Sequence, residues 1–395
     1  MKHNWTYKKL GEVVKCYRGL TYSKADEVPV SSKMVLRSNN IDLDTHALNF
    51  DEIKCVREDL PIADDRKLKK DSIFICMSNG SMQHLGKVAY VDKDYDYAFG
   101  GFMGLIVPNP QEVFPKYVYY SLLAPNFLAT ILREGRGANI NNLRFTDLEN
   151  YSLPMPAKDE QQAIVRELDG INRLIDLQEE RLREYDRLAQ SLFYTTFGDP
   201  VSNPKGWEVK KLGEVAVIRD GSHNPPKGVD EPTEYRMLSS QNIFDNLIDY
   251  SKGVRYLSKE NFELEHKRTN LKAGDVLLTI VGTIGRACIV TDKDTNITLQ
   301  RSVAVLSPKD DILSIYLNRL LFVIGEKLQY ESRGVAQKGI YLGQLSKTQI
   351  PVPPLALQQT FAAQIEAIEQ QKALVRKSLE ETRTLLAARM QYYFE

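Results

Sequence analysis

Residues Asp159–Phe197, DEQQAIVRELDGINRLIDLQEERLREYDRLAQSLFYTTF, form one long helix-forming stretch with a single apolar stripe. The stripe advances in alternating steps of four and three residues, which is the spacing of a coiled-coil seam. Its members are Ile164, Leu168, Ile171, Ile175, Gln178, Leu182, Tyr185, Ala189 and Leu192. The pattern predicts a helix roughly 55 Å long at about 1.5 Å per residue. Asp159 is the predicted N-cap, and Gln162 stands in the capping-box position.

A matching stripe closes the chain. Its members are Phe361, Ile365, Ile368, Lys372, Val375, Leu379, Thr382, Leu386, Arg389 and Tyr393. The two stripes share one register, and each stretch ends at a phenylalanine, Phe197 or Phe394. Gly198 and Pro200 stop the first stretch. Two paired helices are therefore predicted, with two unrelated surface helices, each packed on its own domain, as the alternative.

The repeat extends beyond the helices. Trp5-Thr-Tyr-Lys-Lys-Leu-Gly-Glu-Val-Val14 matches Trp207-Glu-Val-Lys-Lys-Leu-Gly-Glu-Val-Ala216, Gly19 matches Gly221, Asn40-Ile41 matches Asn242-Ile243, Arg136-Gly137 matches Arg333-Gly334, and Gln161-Gln162 matches Gln358-Gln359. The predicted parts are a globular domain at 1–157, a helix at 158–197, a linker at 198–206, a second globular domain at 207–353 and a second helix at 354–395. Matches concentrate at the edges of each globular domain, so we expect one frame with two different interiors.

Each globular domain has the pattern of an α+β fold, with short apolar runs separated by Gly, Pro, Asn and Asp. In the first, strands are predicted at Met34–Arg37, Ser72–Met77, Lys87–Asp92 and Met103–Pro108, and helices at Pro115–Leu123 and Asn126–Arg133. A final extended segment is predicted at Tyr151–Pro156. In the second, strands are predicted at Glu234–Ser239, Asp275–Ile280, Arg286–Thr291 and Ser302–Leu306, and helices at Ile312–Phe322 and Ile324–Glu331.

Composition excludes several classes of protein. The 395-residue chain has 52 basic and 52 acidic residues, so it lacks the overall positive charge of a histone-like nucleic-acid binder, although a local basic face remains open. No apolar run is long enough to span a bilayer, and the four scattered cysteines fit a reducing cytoplasm. The histidines lack zinc spacing, and Asn224-Pro-Pro-Lys227 lacks the aromatic residue of an adenine methyltransferase motif. We therefore expect no metal site and no catalytic residues.

Polar loops suited to base edges occur in both globular domains. Asn and Gln pair with adenine, Arg with guanine and Ser with several bases, whereas ordinary loop solvation is the alternative for any single residue. In the first domain the candidate DNA-binding residues are Arg37, Asn39, Asn40, Ser78, Asn79, Gln83, Arg136, Asn139, Asn141 and Arg144. In the second they are His223, Lys227, Ser239, Gln241, Asn242, Thr283, Arg286, Arg301, Gln337, Lys338 and Tyr341.

The duplicated order of motifs resembles the specificity subunits of type I restriction-modification systems. Trp-x-x-x-x-Leu-Gly-Glu-Val opens each globular domain, Gly282-Thr-Ile-Gly-Arg286 lies within the second, and Pro351-Val-Pro-Pro-Leu355 precedes the second helix. The first domain departs from this pattern, since Gly80-Ser-Met-Gln-His-Leu-Gly86 stands where Gly-Thr-Ile-Gly is expected.

The resemblance implies two target recognition domains that each bind half of a split site in double-stranded DNA, held apart by two antiparallel helices. It also implies that the helices dock two methyltransferase subunits, which bind S-adenosylmethionine, and that motor-nuclease restriction subunits join them. The chain itself is expected to be a non-catalytic, cytoplasmic subunit from a bacterium or archaeon, without a cofactor and away from the membrane. The alternatives are a protein-interaction scaffold with two similar arms and a self-contained enzyme.

Overall fold

The computed structural model describes residues 5–134, 142–244, 246–325 and 339–395. The chain divides into two compact units. The first unit comprises Met1–Glu179 and Lys377–Glu395, and the second comprises Glu180–Arg376. Both boundaries fall inside long helices, so each unit combines one globular lobe with a segment of each helix.

The two long helices are the central helix, Lys158–Phe197, and the C-terminal helix, Leu355–Phe394, each of 40 residues. The predicted N-cap at Asp159 is wrong. The backbone N–H of Gln161 already donates to the carbonyl of Ala157, so Asp159 lies in the first turn of the helix. There its negative charge still favours the helix N-terminus.

The first glutamine of each matched Gln-Gln pair fastens a lobe to the start of its own helix. Gln161 is buried, accepts a hydrogen bond from the Phe114 N–H at 2.8 Å, and donates to the Pro156 carbonyl at 2.9 Å. Gln358 makes the equivalent bonds to the Leu313 N–H and the Pro353 carbonyl, each 2.8 Å long. A buried amide with both ends paired fixes an orientation, because any displacement leaves polar groups unsatisfied.

Within the first unit the two helix segments run antiparallel. Arg389 pairs with Glu167, and further along Arg383 donates to Glu179 at 2.8 Å, so residue numbers rise on one helix as they fall on the other. The aromatic end of the C-terminal helix completes the core of the first lobe. Phe394 lies against Tyr117 with ring centroids 5.2 Å apart, and Tyr393 stacks on Trp5.

Within the second unit the helix segments also run antiparallel. Phe193 and Phe197 pack on Phe361, and Asp186 accepts a hydrogen bond from Lys372 at 2.5 Å. Lys372 occupies a seam position and is 1% exposed, so its charge is held by neighbouring carboxylates rather than by water. The predicted pair of antiparallel helices is confirmed, and the alternative of two unrelated surface helices is wrong.

The first lobe is built on two four-stranded sheets and one outer pair of strands. One sheet has the order Val14–Arg18, Met103–Pro108, Ile73–Cys76, Val88–Tyr90, and is antiparallel throughout. The other has the order Glu27–Val28, Lys54–Val56, Met34–Leu36, Tyr97–Phe99. The outer pair is Thr6–Lys9 with Ser152–Met155. The helices are Leu10–Val13, Pro115–Leu123, Asn126–Glu134 and Phe145–Asn150.

The second lobe repeats this topology. Its antiparallel sheet has the order Ala216–Asp220, Val303–Pro308, Val276–Thr279, Ala287–Ile289. Its second sheet has the order Arg255–Tyr256, Arg236–Leu238, Ile297–Leu299. The outer pair is Glu208–Lys211 with Gln349–Val352, and a further short pair is Ile243–Phe244 with Leu247–Ile248. The helices are Leu212–Val215, Lys259–Thr269, Ser314–Val323 and Leu342–Lys347.

The shared topology confirms the predicted duplication and the α+β class. In both lobes the last strand of the second sheet pairs parallel to its neighbour, Met34 with Tyr97 in one and Arg236 with Ile297 in the other. The strand Ile73–Cys76, inside the first antiparallel sheet, is apolar on both faces. Ile73 and Ile75 face the core shared with the helices, whereas Phe74 and Cys76 face the core beneath the second sheet. Burial on both faces explains the unbroken apolar run that sequence patterning marks as a strand.

The helix at Lys259–Thr269 was not predicted from sequence. It is mostly charged and lacks an apolar stripe, but Ser258 caps its N-terminus and Phe262 stacks on Tyr235 at 4.7 Å between ring centroids. The predicted helix at Ile324–Glu331 lies largely outside the described residues. Within the described ranges no helix has the length and apolar character needed to cross a bilayer.

Candidate nucleic-acid interface

Four chain segments of the first lobe meet at the ends of its strands. The loop after Met34–Leu36 is joined to the turn after Ile73–Cys76, because the Asn79 amide donates to the Ser38 hydroxyl at 2.9 Å. The same turn is joined to the corner that precedes Met103, because the Ser78 N–H donates to the Phe102 carbonyl at 3.1 Å. The corner also holds the segment around Leu20, whose N–H donates to the Phe99 carbonyl at 2.6 Å.

These segments enclose an open cleft of about 680 Å³. Four of the predicted residues line it: Arg37, Asn39, Ser78 and Asn79. Residues that sequence analysis did not select also line it: Arg18, Thr21, Tyr22, Lys24 and Phe102. The cleft therefore combines cations, amides and two aromatic rings with the carboxylates of Glu27 and Glu52. Cations and amides are the groups that contact phosphates and base edges.

Arg37 has hydrogen-bonding capacity that the fold does not use. Its Nε is buried and has no hydrogen-bond partner among the described residues, while its guanidinium borders the cleft. Nearby, burial and Glu27 raise the pKa of Tyr22, so its hydroxyl remains a neutral hydrogen-bond donor and acceptor at neutral pH. A nucleic-acid edge entering the cleft would meet both groups.

The prediction that Asn40 and Asn242 contact bases is wrong. Neither residue has exposed surface, and their amides are saturated by their own loops. Asn40 accepts from the Arg37 N–H and donates to the carbonyls of Asn49 and Glu52, and Asn242 repeats this pattern with Ser239, Asp249 and Lys252. These two asparagines hold the shape of the loop, which explains why both copies contain them.

The second lobe brings together the corresponding segments with different side chains. The Ser240 N–H donates to the Ser302 hydroxyl at 3.0 Å, and the Arg301 N–H donates to the Ser222 carbonyl at 2.9 Å. Ser239 and the exposed Gln241 flank Ser240 in the chain, and the exposed Arg301 directly precedes Ser302. Gly282 begins the neighbouring turn beside Ser240, since a Cβ at Gly282 would lie 3.3 Å from its hydroxyl.

Other candidates in the second lobe have partners of their own or lie elsewhere. His223 contacts Asp220 at 2.6 Å, and Arg268 donates to the same carboxylate at 3.0 Å. Burial raises the pKa of Asp220, but the bonds from His223 and Arg268 outweigh burial and leave this pKa below its ordinary value. Lys227, Thr283 and Tyr341 are exposed. Among the described residues, no side-chain hydrogen bond joins them to the loops around Ser240 and Ser302.

Arg286 is not brought together with the other candidates. Its guanidinium lies 5.1 Å from the ring centroid of Phe244. Both border a separate pocket of about 330 Å³ whose other wall includes Asp186 and Gln190 of the central helix. The equivalent residue of the first lobe, Lys87, is buried and donates to the Ile41 carbonyl at 2.7 Å. This position contacts the loop beneath it in both lobes.

The remaining candidates divide into exposed and undescribed residues. Gln83 and Arg144 are exposed, and the segment before Arg144 joins the cleft wall through the Leu143 N–H, which donates to the Met77 carbonyl at 2.8 Å. Arg136, Asn139, Asn141, Gln337 and Lys338 lie outside the described residues. Among the residues that are described, no group of three His, Cys, Asp or Glu side chains is placed to hold a metal ion.

Known proteins share both the sequence pattern and the fold. The family described as type I restriction modification DNA specificity domain matches twice, at residues 2–185 and 204–382. The chain belongs to this family.

Two specificity subunits illustrate the extent of the similarity. The EcoKI specificity subunit of Escherichia coli is 25% identical over 300 residues, which cover 71% of this chain and 62% of that protein. The putative MjaX specificity subunit of Methanocaldococcus jannaschii is 24% identical over 402 residues, covering 96% of this chain and 90% of that one.

Solved structures show the same fold for specificity subunits. The S subunit from M. genitalium superposes with a TM-score of 0.55 at 15% identity, over 99% of this chain and 96% of that one. A chain from a study of complex assembly and conformational transition in the type I system gives 0.56 at 18% identity, over 99% and 97%. At such low identity these likenesses concern the fold alone.

The cleft residues that sequence reasoning missed have a simple explanation. Arg18, Tyr22 and Lys24 flank Gly19, whose match to Gly221 marks the segment but not its neighbours. Phe102 looks like a core residue in the sequence, since large apolar side chains are usually buried. Only the fold reveals that it lies at an exposed corner beside the polar loops.

Proposed function

We propose that this specificity subunit recognises a split, asymmetric DNA site, one half with each lobe. The observation that carries the proposal is that both lobes gather the same strand-end loops into one cluster, with different side chains in each. Like frames with unlike contact residues suit two half-sites of different sequence, separated by about one helical turn of DNA or more. DNA binding is expected to weaken steeply with salt, because phosphate contacts release counterions.

Partner subunits, rather than this chain, would carry out the chemistry. Two methyltransferase subunits, each with S-adenosylmethionine, would extrude and methylate the target adenines, and restriction subunits would join the same cytoplasmic assembly. This chain would select the DNA sequence and hold the subunits together. A non-DNA scaffold with two similar arms is the alternative, and it predicts no loss of methylated sites when the chain is removed.

Exposed leucines on the helices support docking of two copies of one partner. Leu177 lies 16 residues after Gln161, and Leu374 lies 16 residues after Gln358, so the two are equivalent in the repeat. Leu188 and Leu385 are equivalent in the same way, 27 residues after these glutamines. All four have about half or more of their surface exposed. Equivalent apolar positions outside the seam suit identical partners, one for each unit.

The double substitution Leu177→Glu with Leu385→Glu is expected to remove one methyltransferase subunit from the complex. Both leucines lie in the first unit, and two carboxylates there would stay hydrated instead of entering an apolar interface. Native mass spectrometry of the co-expressed complex would detect the loss of one subunit mass. Asp176→Asn is the control, since it alters charge at an exposed position on another face of the helix. Retention of both subunits by the leucine variant would contradict this docking surface.

The split site is tested by mapping methylated adenines in host DNA with and without this chain. We expect one two-part motif to lose methylation when the chain is absent. Exchange of residues 207–353 for those of a related subunit should then change one half of that motif and preserve the other. A continuous motif, or a change in both halves, would contradict the assignment of one half-site to each lobe.

A further inference from the structure

Phe102 is the most prominent apolar group of the first-lobe cleft. Its side chain is 73% exposed, although the backbone around it is hydrogen-bonded to neighbouring strands. Arg18, Arg37, Asn39 and Asn79 border the same cleft. Single exposed apolar residues are common on protein surfaces, but this one stands among the groups that would contact DNA.

The corner that carries Phe102 is rigid. The Phe102 carbonyl accepts the N–H groups of Met77 and Ser78 at 2.9 and 3.1 Å. The next residue, Met103, donates its N–H to the Gly100 carbonyl at 2.8 Å. Because both sides of the corner are fastened to neighbouring strands, the backbone that carries the ring is held in place. A backbone that is already ordered loses little conformational entropy on binding.

The second lobe has a different pair of residues at the same corner. The bridge between Leu20 and Gly100 corresponds to the bridge between Ser222 and Gln300, which aligns Gly101-Phe102 with Arg301-Ser302. Ser302 is partly buried and receives the Ser240 N–H. One corner therefore offers an aromatic ring, and the other offers a guanidinium and a hydroxyl.

We propose that Phe102 is a specificity-determining residue that contacts the C5-methyl group of a thymine in the half-site bound by the first lobe. In the major groove, thymine is the base that presents an apolar group on its edge, and Phe is among the side chains that contact it. The neighbouring arginines and amides supply the polar contacts that place the ring in the groove. This inference rests on the proposed recognition of a split site.

Deoxyuridine in place of thymidine tests the contact, because it removes only the methyl group. The complex of this chain with its methyltransferase subunits would be titrated with duplexes of the mapped site. Each duplex carries one deoxyuridine in the half-site that exchange of residues 207–353 leaves unchanged. We expect one position at which affinity falls about fourfold, the equivalent of one buried carbon group. Phe102→Ala should bind the thymidine and deoxyuridine forms of that position equally.

Two further variants separate the contact from folding effects. Phe102→Leu keeps an apolar side chain and should retain part of the discrimination. Val30→Ala removes an apolar group that is 87% exposed but lies outside the cleft, and it should discriminate as the unaltered chain does. Circular dichroism would establish that each variant is folded.

The outcomes distinguish this inference from the proposed function. Sequence-specific binding that is indifferent to deoxyuridine at every position would overturn the thymine contact and leave the split-site proposal intact. The same holds if Phe102→Ala weakens binding to all duplexes alike, since that is the behaviour of a wedge between base steps. Absence of sequence-specific binding by the complex would overturn the proposed function, and the thymine contact with it.

Discussion

A chain that ends at Arg376 is expected to lose the cooperative unfolding transition of its first unit and to retain that of its second. The missing segment, Lys377–Glu395, contributes Met390 and Phe394 to the buried core of the first lobe. It also contributes Arg389, the salt-bridge partner of Glu167, so the shortened chain would leave Glu167 unpaired with this residue. Loss of one buried aromatic side chain costs about 3–5 kcal/mol. The whole segment would therefore cost a large part of the roughly 5–15 kcal/mol that stabilises a typical domain.

Calorimetry and hydrogen exchange would measure this effect. We expect amides of residues 5–134 to lose protection, while those of 207–325 keep theirs. Phe394→Ala should produce a partial form of the same change, and Gln391→Ala, at an exposed position of the same helix, should produce none. Equal protection of the first lobe in the full and shortened chains would contradict a structural role for the last residues.

Gly19→Ala is expected to destabilise the first unit by about 3 kcal/mol or more, the upper range for inserting a carbon into packed structure. A Cβ at Gly19 would lie 2.0 Å from the Gly100 carbonyl oxygen and 2.6 Å from that of Phe99. These are backbone atoms that cannot move aside without displacing the corner that carries Phe102. Gly221 has the same constraint in the second lobe, where a Cβ would lie 2.1 Å from the Leu299 carbonyl oxygen.

The control for this substitution is Gly170→Ala in the central helix. Outside the backbone of its own helix turn and its two chain neighbours, no atom lies within 4 Å of a Cβ built there. Alanine favours a helix over glycine by about 0.5–1 kcal/mol, so the control should stabilise the protein. Thermal unfolding would measure both changes. Methylation mapping should show Gly19→Ala relaxing the half-site of the first lobe, and Gly221→Ala that of the second. Unchanged stability in Gly19→Ala would contradict the close approach of these segments.

The sequence was most informative where a regular period or a repeat carried the signal. The spacing of apolar residues predicts the extent of the two long helices, because a buried stripe on a helix comes from residues three or four positions apart in the sequence. The matched Gly19 and Gly221 mark a close backbone approach, although only the fold names the atoms approached. Reasoning from residue type alone failed for Asn40, whose amide resembles a base-reading group in the sequence and is consumed by its own loop. It also failed for Phe102, because exposure depends on strands that are distant in sequence.

The charged residues that pair the two long helices are not repeated at the equivalent positions of the other helix. Glu167 lies six residues after Gln161, where the other repeat has Gln364, and Arg389 lies 31 residues after Gln358, where the other repeat has Leu192. Two central helices paired in this register would set the Glu167 carboxylate opposite a leucine, and two C-terminal helices would set the Arg389 guanidinium opposite an amide. In neither pairing of like helices is the charge neutralised, whereas the pairing of the central with the C-terminal helix joins the two charges. The charges therefore disfavour the pairing of like helices. Divergence of the two repeats at these positions therefore favours the pairing of unlike helices over the pairing of like ones.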